Sequence, residues 1–153
     1  LEYTEQQRVK KEAKNAKQER QERIEAIKKL RTRGWYVNEA QKAVNAYIVK
    51  GRDFGKPCVS CGKHKPRYDC GHYLARSTHP ELRFEEDNLA NQCIYCNNYS
   101  KNAHHAYRKG LIERIGIERV LALEAPHEPA KWTIPELEAI RKEYKNKLKE
   151  LKQ

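Results

Sequence analysis

Apolar positions are thinly spread at the start of the chain and dense in its middle. Over residues 1–33 they make a narrow stripe of Val9, Ala13, Ala16, Ile24, Ile27 and Leu30, set in strong helix formers with no Pro or Gly. Acid-to-base pairs at four-residue spacing, Glu19–Arg23 and Glu25–Lys29, add support. The pattern predicts a long, exposed, basic helical arm over 1–33, firm only near Ile24–Leu30, and Gly34 is read as its end. From Val37 to Lys50 the stripe thickens. Val37, Ala40, Val44, Tyr47 and Ile48 share one face, which predicts a helix buried against the central segment. Tyr68–Leu74 reads as a strand. Residues 75–92 read as an irregular excursion with a second short strand near Leu82–Phe84. A helix is expected from Cys93 towards Gly116, bent or broken near His104, and a short one over Ile117–Leu123. Thr133-Ile-Pro-Glu136 supplies a cap, a first-turn proline and a capping-box glutamate for the last helix. Its stripe of Leu137, Ile140, Tyr144, Leu148 and Leu151 needs a partner, either the arm or a second subunit. The expected chain is therefore α+β and mostly helical, with an arm over 1–33 and a domain over 34–153.

Cysteine spacing changes this picture most. Four of the five cysteines form two Cys-x-x-Cys pairs about thirty residues apart, Cys58/Cys61 and Cys93/Cys96. Such spacing lets each pair of thiolates take two corners of a tetrahedron, and the glycine after Cys61 relieves the tight turn. We read a structural Zn²⁺ site, closed to substrate. A knuckle, a hairpin and a helix carrying the second pair at its start make a treble-clef core. With 38% hydrophobic residues the core is small, and a metal staple suits it. Cys70 is left over and is expected to pack in the strand. Paired cysteines, and opening residues that do not read as a secretory signal, point to a reducing cytoplasm. No run approaches the ~20 apolar residues that span a bilayer. The net charge of +11 calls for a polyanion, with nucleic acid ahead of a membrane surface.

A closed zinc site leaves catalysis to other residues. Phosphodiester hydrolysis needs an activated water and a cation for the charge on phosphate. His72 is the candidate base. Asn97 directly follows the last zinc thiolate, in the first helical turn, and its amide oxygen suits Mg²⁺ or Mn²⁺. Asn88 either accepts the second imidazole N–H or pins the loop. Lys101, Arg76, Arg83 and Arg108 are candidate phosphate contacts.

These residues resemble the HNH, or ββα-metal, nuclease superfamily. More narrowly, PCVSCG, DCGHY, ELRFEEDNLANQC and CNNYSKN, with the flanking QKAVNAYI, LIERIG and WTIPELEAIRKEYKNKLKEL, are similar to the phage lambda NinG (Rap) recombination-protein family over roughly residues 35–151. The resemblance implies a structure-specific endonuclease of the host bacterial cytoplasm that cuts branched DNA, D-loops and Holliday junctions among them. It also implies His72 as general base, Asn88 as the middle asparagine and Asn97 as the metal-side residue. Many HNH sites carry an acidic or histidine ligand directly before the base, where this chain has Gly71. Asp69 is the nearest carboxylate, but three positions from His72 in an ideal strand it points away, so a bulge is expected. His104 or His105 is another source, or His72 itself is the ligand. Cutting two strands suits a homodimer, with the terminal helices as its interface. The rival reading is a non-catalytic zinc-finger module that binds DNA or RNA.

Overall fold

The computed structural model describes residues 2–152. Their contacts divide the chain between Trp35 and Tyr36. In the first part, α1 runs unbroken over Glu2–Leu30. Its ion pairs among the described residues are Glu5–Arg8 at 2.9 Å, Arg8–Glu12 at 3.6 Å and Glu25–Lys28 at 3.3 Å, in place of the expected Glu19–Arg23 and Glu25–Lys29. Glu25 has Gln21 and Lys28 within reach on the same face, and those neighbours take its oxygen. The interruption falls at Arg31–Thr32, not at Gly34. Thr32 accepts the Trp35 N–H through both its carbonyl (3.0 Å) and its hydroxyl (3.4 Å), which caps the next helix and leaves Gly34 inside its first turn. The Arg31 guanidinium lies 3.8 Å from the centre of the Trp35 ring.

In the second part, α2 (Arg33–Tyr47) buries Tyr36, Ala40, Gln41, Ala43 and Val44, then widens into a π turn over Ile48–Arg52. Strands β1 (Tyr68–His72) and β2 (Leu89–Cys93) pair antiparallel and one to one, from Tyr68↔Cys93 to His72↔Leu89. The second strand is therefore not at Leu82–Phe84. That stretch is a 3₁₀ turn over Pro80–Leu82 and a bend that buries Leu82 and Phe84. Pro80 has no N–H for a ladder. All five β2 residues are buried, so LANQC shows none of the polar alternation that marks a half-exposed strand.

Helix α3 (Ile94–Asn98) is short, and the break before α4 (Ala103–Ile115) falls at residues 99–102, ahead of His104. Gly116, at φ +86°, separates α4 from α5 (Ile117–Glu124). The core sits between the hairpin and these helices, around Val59, Tyr73, Leu82, Ala90, Tyr107, Leu111, Val120 and Leu123. Helix α6 (Ile134–Glu150) opens with the expected Thr133–Glu136 capping box. Its stripe finds a partner within its own domain. Tyr144 meets Tyr47 edge-on at 5.3 Å, and Leu148 and Leu151 close over Gly51. Tyr144 and Lys147 both donate to Glu86, at 3.0 and 2.9 Å.

A buried polar hub ties these pieces together. Asp53 is 1% exposed and accepts from the Asn91 N–H (3.0 Å), Arg52 (3.0 and 3.1 Å), Lys56 (3.2 Å) and Arg114 (3.1 Å). Burial favours its neutral form, but the Arg52 bonds and charge, the Asn91 N–H and Arg114 outweigh it and hold the carboxyl below its usual range. Arg114 also donates to the Pro57 carbonyl, fixing the chain next to Cys58.

Candidate metal centre and histidine cavity

Cys58 and Cys61 lie on a loop, Cys93 ends β2 and Cys96 lies in α3. The loop is drawn tight by Gly62 N–H on the Cys58 carbonyl (2.9 Å) and Cys58 N–H on the Lys63 carbonyl (3.0 Å), with Gly62 at φ +65°. All four sulfurs lie within 4.8 Å of one another, the one such group of His, Cys, Asp and Glu among the described residues. The Cys93 N–H donates to the Cys58 sulfur at 3.2 Å. Burial opposes a thiolate at Cys58, but the N–H groups of Cys61, Cys93 and Ser60 outweigh it and bring the thiol down to about 7. Burial pushes Cys96 the other way, together with its sulfur neighbours. Four soft donors crowded so closely cannot all ionise alone, and the set fits one structural metal ion such as zinc. The knuckle rests directly on α4. A β-carbon on Gly110 would lie 1.7 Å from the Val59 carbonyl oxygen, so only glycine permits this approach.

A cavity of about 470 Å³ runs beside the hairpin, lined by Asn45, Asp69, Cys70, His72, Arg76 and Asn97 among others. β2 contributes none of its lining, so the cavity follows the unpaired edge of β1. The location corrects the expectation of a bulge at Asp69. The register is regular, and along a free edge side chains from both faces of the strand reach one hollow. Asn97 Nδ2 donates to Asp69 Oδ2 at 3.2 Å. His72 Nε2 lies 3.1 Å from the Arg83 carbonyl, which can only accept. Nε2 therefore carries the proton, and Nδ1 keeps its lone pair. Burial brings the imidazole down to about 4, aided by the charges of Arg76 and Arg83 and opposed by the carbonyl bond, so the ring is neutral at pH 7. Burial pushes the Cys70 thiol up to about 12 and keeps it protonated.

The imidazole partner is Arg83, not Asn88. Asn88 is 0% exposed and accepts from Leu74 N–H (2.8 Å) while donating to the carbonyls of Leu74 (3.0 Å) and Leu82 (3.1 Å). Of its two expected roles it pins the excursion, and by fixing Leu82 it sets the adjacent Arg83 carbonyl. Gly71 has a steric reason. A β-carbon there would lie 2.4 Å from Gln92 Oε1 and 3.0 Å from Tyr107 Cε2, on the core side. His104 and His105 stand outside the cavity. His104 stacks on Tyr73 at 4.8 Å, and His105 overlooks the knuckle. Arg76 reaches the cavity and Lys101 lies on the exposed turn after α3. Arg83 contributes its carbonyl. Arg108 is engaged by Glu124 at 2.7 and 3.0 Å; that pairing first, then the Tyr73 hydroxyl, holds Glu124 at about 2. Sequence reasoning missed Asn45, Gln41 and the Asp53 hub. The four-residue spacing of Gln41 and Asn45 on α2 was a usable signal, whereas nothing local marks Asp53 as buried.

Fold and site define a basic, mostly helical protein in which a four-cysteine knuckle is closed by a two-stranded hairpin and a short helix. No helix among the described residues is long and apolar enough to cross a membrane. The chain belongs to the NinG family: the profile described as "Bacteriophage Lambda NinG protein" matches residues 1–153. It is 43% identical over 124 residues to Protein ninG of Salmonella phage P22, covering 80% of this chain and 61% of that protein. The match to Protein ninG of Escherichia phage lambda is also 43%, covering 80% and 60%. That of Escherichia phage 933W is 41% identical, covering 80% and 61%. The chain thus spans about three fifths of the length of these curated relatives. No solved structure matches it significantly.

Proposed function

We propose that the chain is a metal-dependent endonuclease of the HNH, treble-clef type, cutting branched DNA recombination intermediates such as D-loops and Holliday junctions in the host cytoplasm. One observation carries this: Asp69, His72 and Asn97 line a single cavity, and Asn97 is covalently next to the knuckle cysteine Cys96. A non-catalytic zinc-finger module would account for the knuckle and the charge but leave that convergence without a use.

In this reading the knuckle holds Zn²⁺ through Cys58, Cys61, Cys93 and Cys96, which fixes the start of α3 and so Asn97. His72 takes a proton from water on Nδ1 while Nε2–H stays on the Arg83 carbonyl. A phosphate entering the cavity offsets the charges of Arg76 and Arg83 and raises the imidazole towards the range of an efficient base. Asp69 and the Asn97 amide oxygen offer hard donors for Mg²⁺ or Mn²⁺, with waters filling the remaining positions; when bound, the ion would draw charge from the phosphate. Arg76 and Lys101 hold the backbone, and the exposed rings of Tyr95 (67%) on α3 and Tyr99 (72%) just after it offer stacking to unpaired bases at a branch. A homodimer would supply one site for each strand.

The test is cleavage of a four-way junction and a matching linear duplex, with Mg²⁺ or Mn²⁺, by wild type and His72→Ala. Each protein is first shown to bind the junction and to hold one zinc. We expect metal-dependent junction cutting that falls about 10²–10⁴-fold in the variant with binding retained. Tight binding without cutting under either ion would favour the binding module instead.

A further inference from the structure

We infer that Asn45, oriented by the buried amide of Gln41, is a phosphate-binding residue of the histidine cavity and donates to a non-bridging oxygen of a phosphodiester. The inference deepens the nuclease reading and takes its ligand class from it.

Asn45 comes from α2, whereas Asp69 and His72 come from β1 and Asn97 from α3. One turn before it, Gln41 is 4% exposed and donates Nε2–H to Asn45 Oδ1 at 2.8 Å. That bond occupies the acceptor side of the Asn45 amide. Its two Nδ2–H donors have no acceptor among the described residues. Gln41 Oε1, for its part, is buried with no hydrogen-bond partner. A leucine would fill this site without leaving an orphaned oxygen, so the Gln41 amide does little for stability that an apolar side chain would not do better. What it supplies is direction.

The cavity is otherwise rich in acceptors: the Asp69 carboxylate, the Asn97 amide oxygen and Nδ1 of His72. Those serve a metal ion and a water. A phosphodiester brings two non-bridging oxygens and one negative charge, and for these the cavity offers Arg76 and the Asn45 amide. A donor set in place before the substrate arrives needs no reorganisation as charge builds on phosphorus.

Asn45→Asp removes this donor and adds a negative charge while the carboxylate still accepts from Gln41, and Asn45→Ala, which removes the donor without the charge, separates the two effects. On junction DNA we expect kcat to fall about 100-fold, with KM raised by no more than about tenfold and zinc content and melting temperature retained. Gln41→Leu should cost about tenfold in kcat through lost orientation, without a loss of stability. Cutting by Asn45→Asp at or above the wild-type rate is the behaviour of a metal-binding acceptor, and would overturn the inference. A second arm does not depend on cutting. The side-chain amide signal of Asn45, followed by NMR, should shift with the dinucleotide TpT and not with thymidine, and Asn45→Asp should weaken TpT binding about tenfold. A TpT response in a protein that cuts no DNA would remove the nuclease reading and keep the phosphate site. Wild-type cutting matched by Asn45→Asp, with no TpT response, would do the reverse.

Discussion

The knuckle and the histidine cavity both draw on α3, yet they are held in different ways. In the knuckle, four identical donors are set by two short spacings, and the local turn at Gly62 does most of the geometry. In the cavity the β1 groups are held from further along the chain, His72 by the Arg83 carbonyl and Asp69 by Asn97, and only Asn45 is held within its own helix, by Gln41 one turn before it. A local device survives changes elsewhere, while a convergent one depends on everything that fixes its supports. The two meet at Cys96–Asn97, so the comparison can be broken by cutting that link.

Metal removal is the largest expected effect. Hairpin, knuckle and α3 converge on four thiols, and a structural zinc ion in such a site contributes on the order of 10 kcal/mol to folding. Chelation at neutral pH, or Cys93→Ser, should collapse the cooperative thermal transition and lose the near-ultraviolet signal of the hairpin tyrosines. α1 should keep its helical circular dichroism, since no knuckle residue lies in its part of the chain. An unchanged melt after complete metal loss would show that the cavity does not need the knuckle.

Asp53→Ala comes next. It leaves the half-buried guanidinium groups of Arg52 and Arg114 without their carboxylate and the buried Asn91 N–H without its acceptor, so we expect a loss of about 3 kcal/mol by urea denaturation. The sign with pH follows from the carboxyl lying below its ordinary range. Its contribution is complete above the unfolded-state value and fades as pH falls through the folded one. The gap between wild type and variant should therefore narrow in acid. A constant gap from pH 7 to about pH 2 would mean that packing, not charge, is what the variant loses.

Legibility in the sequence followed the same division. Spacing alone gave the four sulfurs, and the Thr133–Glu136 box and the period of α2 gave those helices, because each signal spans a turn or two. The second strand was misplaced because LANQC is wholly buried and polar in part; Asn91 and Gln92 are satisfied by Lys56 and Ser60 from beyond the hairpin. Asp69 could be named as the nearest carboxylate, but its reach into the cavity depends on β1 being an open edge, which no local pattern states. Asn88 had two expected roles in the sequence, at the imidazole or in the loop. Which of its two uses applied was decided by contacts 6 and 14 residues away.

Gly71 gives the finest test. Under the proposed HNH reading a ligand is expected just before His72, and Gly71→Asp is the substitution that would supply one. The structure turns that position towards Gln92 and Tyr107, with the Tyr107 hydroxyl donating to the Gly71 carbonyl at 2.9 Å. Any β-carbon must displace the Gln92 side chain, whose amide is bonded to Ser60 on the knuckle at 2.7 Å. Gly71→Ala should therefore cost about 1–3 kcal/mol by overpacking, and Gly71→Asp more, because its charge would be buried without a partner. Calorimetric titration with Mn²⁺ should show no tighter binding in Gly71→Asp. The strain should also reach the knuckle through Gln92 and Ser60, lowering zinc retention against a competing chelator in both variants. Tighter Mn²⁺ binding in Gly71→Asp, with stability intact, would place residue 71 on the cavity side and reverse the orientation assigned to β1.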